Sequence, residues 1–211
     1  MSGYQEILSD PSYAGQFVTM TYPEIGNYGV NPDDMESRSL FLNGFIVHES
    51  NEPSNFRSVE SLSGFLKRHN VPGIAGLDTR ALTTKLRNSG TGEELASEEG
   101  VKRAQGWCGL DNQDYAMKVS VKKAYQWDPD GSQTLTWGMG DKLPKADFKV
   151  VAFDFGIKYN ILRSLRLSGM DVKVVPAGTT AAEVLKHKPD GVFLSNGPAD
   201  PSALPYAAQA V

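Results

Sequence analysis

Val150-Val-Ala-Phe-Asp154-Phe-Gly156-Ile-Lys158-Tyr-Asn160 and, further on, Phe193-Leu-Ser-Asn196-Gly197-Pro198-Ala199-Asp200-Pro201 are the two stretches that decide the fold of this chain. Each is a short apolar run that stops abruptly at residues suited to a tight loop. That is how a buried parallel strand delivers its chain to a ligand-facing turn. Around them the pattern predicts a strand over 150–153, a helix over 160–167, a strand over 172–175, a helix over 181–186 and a strand over 192–194. Right-handed crossovers then make the three strands parallel.

Upstream the sequence changes character. From Gly3 to about Trp127 it is rich in Gly, Asn, Pro and Ser between short apolar runs, which predicts short strands and irregular connections. Phe17-Val-Thr-Met-Thr-Tyr22 reads as a strand closed by Pro23, residues 25–32 as a structured loop, and residues 40–47 as a second strand. Leu62, Phe65 and Leu66 share one helical face, followed by Lys67 and Arg68 where the helix dipole favours cations. Asp78 or Thr79 can cap another helix carrying Leu82 and Leu86, and these helices are expected to pack one face of the domain. Residues 128–147 mix Pro, Gly and charge and read as an exposed connector. The expected division is a domain at 1–127, a linker at 128–147 and a second domain at 148–211. The fold class is α/β: an N-terminal mixed β/α domain followed by a βαβαβ parallel-sheet segment.

Composition removes several classes of function. Of 211 residues, 40% are hydrophobic, and 21 basic against 25 acidic side chains give a formal charge of −4, which offers no footprint for nucleic acid or anionic membrane. The first residues lack the basic start and apolar core of a secretory signal. No apolar run approaches the roughly 20 residues that span a bilayer, so the chain reads as cytoplasmic. The single cysteine, Cys108, excludes an internal disulfide, and His48, His69 and His187 lack the spacing of a structural metal site. No metal ligand is expected.

Ligands of an open parallel sheet gather where its strands end, here at Asp154-Phe-Gly156 and Ser195-Asn-Gly197-Pro198. Gly197, before a proline and without a Cβ, allows close approach to its backbone, or forms a plain turn. Lys158 and Asn160 can orient groups at the strand end, or serve as a solvated lysine and a helix cap. Asp154-Phe-Gly156 resembles the metal-binding triplet of protein kinases, but no His-Arg-Asp loop or phosphate-cradling glycine loop accompanies it. Cys108 follows a polar, helix-like stretch with no histidine nearby, which suits a structural thiol better than a nucleophile. His48 reads as an edge residue, His69 as a capping residue and His187 as solvated. Ser12, in the turn Asp10-Pro-Ser-Tyr13, is a helix cap or a ligand contact.

Several segments in register resemble one family. They are Gly3-Tyr-Gln-Glu-Ile-Leu-Ser-Asp10-Pro-Ser-Tyr13, Thr21-Tyr-Pro-Glu-Ile-Gly-Asn27, Ser54-Asn-Phe-Arg57, Leu66-Lys-Arg-His-Asn70, Leu77-Asp-Thr-Arg-Ala-Leu-Thr83, Asp154-Phe-Gly156-Ile-Lys-Tyr-Asn-Ile-Leu-Arg163 and Leu194-Ser-Asn-Gly-Pro198. Together they resemble the glutamine-hydrolysing small subunits of carbamoyl-phosphate synthase. The resemblance implies an N-terminal domain that docks on a large synthetase subunit, followed by the first part of a class I glutamine amidotransferase domain. In such proteins ammonia released from glutamine passes to the large subunit, which uses ATP, magnesium and bicarbonate to make carbamoyl phosphate for arginine and pyrimidine synthesis. The small subunit carries no cofactor.

Carried across residue by residue, the resemblance makes Ser12 a glutamine contact from the N-terminal domain and Gly197 a backbone contact from the amidotransferase side, so that the substrate is expected at a domain interface. Ala199 stands where the family usually has glycine. It adds a methyl group that disfavours positive φ, and is carried as a third contact.

The family's Gly-Ile-Cys-Leu-Gly-His-Gln elbow and its later His and Glu have no counterpart, and its first strands are missing before Gly3. The chain is therefore expected to be truncated at both ends and to lack glutaminase activity by itself. Residues 148–211 are expected to be marginally stable alone, since a unit of about 60 residues buries only about 60% of its chain surface. Two alternatives are a non-catalytic docking module for a synthetase, and another class I amidotransferase. The matches at 3–13 and 77–83 argue against the second, because they fall in the domain peculiar to carbamoyl-phosphate synthase.

Overall fold

The computed structural model describes residues 3–89, 102, 106, 113–137, 142–198 and 200–210. It divides into two compact units that do not follow chain order. One comprises Met1–Tyr4, Gly15–Asn31 and Leu42–Asp111, the other Gln5–Ala14, Pro32–Phe41 and Asn112–Val211.

The chain begins with helix α1 (Tyr4–Ser9). In the first unit, strands β1 (Phe17–Thr19), β2 (Glu24–Ile25), β3 (Gly44–Ile46), β4 (Glu49–Ser50) and β5 (Gly73–Ile74) form two parallel sheets, ordered β1-β3-β5 and β2-β4. The strands are shorter than the apolar runs at 17–22 and 40–47 predict, ending at Thr19 and Ile46, and loops carrying the left-handed glycines Gly26 and Gly29 lie between them. Tyr4 shows how such loops are held: its ring stacks on Tyr28 at 4.1 Å and its hydroxyl donates to the Gly29 carbonyl at 2.6 Å. Helix α2 (Leu62–Arg68) starts where Ser61 accepts from the Gly64 amide, and it buries the predicted face of Leu62, Phe65 and Leu66. Helix α3 (Thr79–Ser89) is capped by Asp78, whose Oδ1 accepts from the Ala81 amide at 2.9 Å. Its Leu86 is 40% exposed, so α3 does not bury the apolar face that the sequence leads one to expect.

The second unit is built on a four-stranded sheet in the order β6-β8-β7-β9. Helix α4 (Tyr115–Val119) precedes β6 (Tyr125–Gln126), and helix α5 (Ser132–Trp137) follows it. Then come β7 (Phe148–Asp154), α6 (Tyr159–Leu167), β8 (Met170–Pro176), α7 (Ala181–Leu185) and β9 (Gly191–Leu194). β7 pairs parallel with both β8 and β9, as predicted, while β6 adds an antiparallel edge. The stretch read as an exposed connector is structured in part. Asp128, at φ 43°, accepts from the amides of Gln133 and Thr134 to start α5, and Thr134 is fully buried.

Alternation along β7 sorts its side chains into two cores. Val151, Phe153 and Phe155 pack with Val175 and Val184, whereas Ala152 packs with Leu162, Val172, Val174 and Trp127. Helices therefore cover both faces: α6 through Leu162 on one, α7 through Val184 on the other. A capping box, with Thr180 and Glu183 exchanging bonds, begins α7. The chain leaves β9 through a turn at Pro201–Ala203 into helix α8 (Pro205–Gln209), and Leu204 joins the Phe153 core. Thus the chains leaving β7 and β9 depart toward opposite faces, which makes their carboxyl ends the sheet's topological switch point.

Candidate functional site

That switch point is where the sequence-predicted residues meet. β7 ends at Asp154, which is 3% exposed. Its Oδ1 accepts from the amides of Gly156 at 3.0 Å and Ile157 at 2.9 Å, and its Oδ2 from the Val121 amide at 2.8 Å. A buried carboxylate holding three N–H donors is a keystone of the loop, which accounts for the aspartate of this triplet without any metal. Gly156 sits at φ 118°, a conformation that side chains avoid, and a Cβ there would lie 3.1–3.2 Å from Pro198, Val119 and Pro11. Three segments distant in sequence thus close on one glycine.

The loop after β9 lies directly on the loop after β7. The Phe155 amide donates to Ser195 Oγ at 3.0 Å, and Ser195 Oγ donates to the Asn196 carbonyl at 2.7 Å. A Cβ on Gly197 would fall 2.2 Å from the Phe155 carbonyl oxygen. The close approach that Gly197 permits is therefore, on that side, the approach of its own β7 loop.

Ser12 joins this structure from the amino-terminal segment. Asn196 Nδ2 donates to Ser12 Oγ at 3.0 Å, which puts Ser12 beside the residue preceding Gly197. The turn Pro11–Tyr13 is capped by Asp10, whose side chain accepts from the Ser12 amide at 2.9 Å, and Lys158 Nζ stands 3.6 Å from Asp10 Oδ2. Ser12 and Gly197 belong to one compact unit, since Gln5–Ala14 packs with the sheet that carries Gly197. The two residues, expected on either side of a domain interface, thus lie within one unit. Ala199 lies outside the described residues, as does Cys108.

Two residues behave differently from the sequence reading. Lys158, not Asn160, is the cap residue of α6, and it makes no side-chain cap bond. Asn160, inside the first turn, offers its amide and side-chain Nδ2 to the Glu36 carboxylate and accepts from Arg163 Nη1 at 2.7 Å. Arg163 also reaches the Met35 and Asp33 carbonyls, so the segment at 33–36 is bound to α6 through a buried cluster. Burial is the largest influence on the Glu36 carboxyl and raises its pKa, although the Asn160 amide, Lys158 and Arg163 pull the other way. Nothing in spacing pointed to Glu36 or to the Asn196–Ser12 bond, because both pairings join segments more than 100 residues apart.

The histidines take no part here. His48 Nδ1 lies 2.8 Å from the Leu77 carbonyl oxygen, His69 ends α2 with its ring against Phe65, and His187 is exposed. Among the described residues no cluster of His, Cys, Asp or Glu could hold a metal ion, and no helix is long and apolar enough to cross a membrane.

Residues 1–95 match the family model of the carbamoyl-phosphate synthase small chain, CPSase domain, and residues 151–211 match that of glutamine amidotransferase class-I. Among curated proteins the chain is 48% identical over 214 residues to a carbamoyl phosphate synthase small chain of Syntrophotalea carbinolica, covering 98% of this chain and 57% of that protein. It is 49% identical over 210 residues to the protein of that name from Akkermansia muciniphila, covering 97% and 55%. The Escherichia coli K12 small chain is 46% identical over 221 residues, covering 100% and 58%. The chain thus spans somewhat more than half the length of these relatives. Two family models in chain order, with near-half identity along the whole chain, leave one conclusion: this protein belongs to the carbamoyl-phosphate synthase small-chain family.

Proposed function

We propose that this chain forms the glutamine-holding part of a carbamoyl-phosphate synthase small subunit, which releases ammonia from glutamine for a large subunit. One observation carries the reading. The Asn196 side chain holds Ser12 Oγ at 3.0 Å, so a serine hydroxyl stands beside the loop that carries Gly197 at the sheet's switch point. A hydroxyl and backbone amides suit the carboxylate and amide ends of glutamine, with Ser12, Gly197 and Ala199 as its contacts. On this reading residues 1–127 are the docking domain, 128–147 a connecting stretch and 148–211 the amidotransferase portion. The large subunit supplies ATP and magnesium chemistry, in the cytoplasm, toward arginine and pyrimidines.

Hydrolysis of the amide requires a nucleophile with an adjacent base. The only cysteine of the 211 residues is Cys108, and it has no histidine near it in sequence. The chain by itself is therefore expected to bind glutamine without turning it over, about a million-fold below an amidotransferase with its nucleophile in place. Calorimetric titration with glutamine, alongside an ammonia assay, tests both statements. Heat of glutamine binding that weakens about tenfold in Ser12→Ala, without ammonia, is the expected outcome. Absence of glutamine binding leaves the docking-module alternative, and rapid ammonia release refutes the inactivity.

A further inference from the structure

The first unit has an open strand edge. β5 is the outer strand of the sheet β1-β3-β5, and no strand pairs beyond it among the described residues. The carbonyls of Pro72 and Ile74 accept from the Phe45 amide at 3.0 Å and the Val47 amide at 2.9 Å, both on the β3 side. Alternation along an extended chain therefore turns the N–H and C=O of Gly73 outward. Pro72 does not guard this edge, because its missing N–H falls on the β3 side with its carbonyl. Charge does not guard it either: Val71-Pro-Gly-Ile-Ala-Gly-Leu77 carries none, whereas charged side chains ordinarily protect a strand edge from pairing.

A groove of about 250 Å³ lies beside the same edge. Its floor is apolar, made by Phe45 and Val47 at β3 and by Leu62 and Leu66 of α2, all of them buried. Gly73 and Ile74 also line it, so the groove and the open edge are continuous. Glycine keeps them so, since a Cβ on Gly73 would lie 3.2 Å from Leu66 Cδ1, in the space between strand and helix. Ser63 and Lys67, one turn apart on α2 and both exposed, form the polar side of the lining. The next residue, Arg68, holds the Glu60 carboxylate at 2.7 Å, but Lys67 has no ion-pair partner among the described residues, and no carboxylate lines the groove.

We infer that β5 is a docking edge for an extended segment of a partner protein, which adds to the sheet as a further strand, sets one apolar side chain in the groove beside α2 and brings an acidic side chain to Lys67. Main-chain pairing with Gly73 supplies affinity, and the groove with its lone cation supplies selectivity. Ile74, 46% exposed, gives the added strand further apolar surface to cover. A second copy of the chain fits less well, because its own edge at 71–77 is uncharged and brings Lys67 no counter-charge. This edge belongs to the first unit, whereas Ser12 and Gly197 belong to the second, so the inference stands whether or not glutamine binds.

The pentapeptide Asp-Val-Leu-Val-Asp, acetylated and amidated at its ends, is a suitable probe, because in either strand direction it presents leucine between two carboxylates on one face. It is titrated into the isotopically labelled whole chain. At about 5 mM, enough to populate a site of millimolar affinity, the Gly73 amide proton is expected to move downfield and saturate. The same peptide N-methylated at its three central residues, which cannot pair with a strand, should leave that proton in place. Lys-Val-Leu-Val-Lys should bind about fivefold more weakly than the acidic peptide, and Lys67→Glu, a change at an exposed position, should reverse the preference. An unmoved Gly73 amide, an equal response to the N-methylated peptide, or a charge preference that Lys67→Glu leaves unaltered would each overturn the assignment. So would a dimer of the free chain in sedimentation that the peptide dissociates, since the edge would then belong to a second copy.

Discussion

Gly197 and Gly156 show how single residues set the geometry of the strand-end loops. At Gly156 the constraint is conformational, a φ of 118°, whereas at Gly197 it is the Phe155 carbonyl standing 2.2 Å from where a Cβ would be. Gly197→Ala must therefore move backbone against backbone, and a loss of about 1–3 kcal/mol is expected in urea unfolding. Gly178→Ala is the matched control, because its Cβ would first meet Met117 Cε at 3.6 Å, an ordinary contact, and it should change stability by less than about 0.5 kcal/mol. Equal effects of the two substitutions would contradict the packing described. The importance of Gly197 was legible in the sequence from its place before Pro198, but its reason was not, since the blocking atom belongs to a loop 42 residues upstream.

At the scale of elements, the strands and helices with long regular patterns were legible, and those made by tertiary contacts were not. β7 and β8 follow from apolar, β-branched runs with buried residues on both faces, and β9 from a shorter apolar run that leaves Val192 and Leu194 exposed. β6 is only Tyr125–Gln126, and Gln126 owes its place to bonds from its side chain to Asp171 Oδ1 at 2.6 Å and the Val172 carbonyl at 2.9 Å. Helix α5 depends on an aspartate in left-handed backbone four residues before it, which no periodicity reports. Helix α6 is tied to the 33–36 segment by Glu36, and this yields a pH prediction. A carboxyl whose folded pKa exceeds the unfolded value of 4.5 binds its proton more tightly when folded. Its contribution to stability is complete below that value and is lost as pH rises through the folded pKa. Glu36→Gln cannot ionise, so its stability relative to the parent should improve from pH 4 to pH 7. Urea unfolding across that window reads the difference, and a flat or opposite trend would contradict the burial-dominated shift.

At the scale of the whole molecule, the sequence pointed to two bodies divided near residue 147, whereas the compact units interleave, with Gln5–Ala14 and Pro32–Phe41 packing beside the parallel sheet. Such interleaving is invisible to a reading by composition, because what assigns those segments is buried polar pairing. The Ser9 hydroxyl accepts from the Glu36 amide at 2.9 Å and so joins the two segments, while the Glu36 carboxylate accepts from the Asn160 amide of α6 at 3.1 Å. Ser12 and Gly197 accordingly belong to one unit, and glutamine is proposed to bind beside them. Titrating the isotopically labelled chain with glutamine and following every backbone amide tests that claim most directly. Saturating shifts concentrated at Ser12, Asn196 and Gly197, abolished by Ser12→Ala, are predicted; glutamine binding that leaves those amides unmoved, or no binding at about 10 mM, would contradict it.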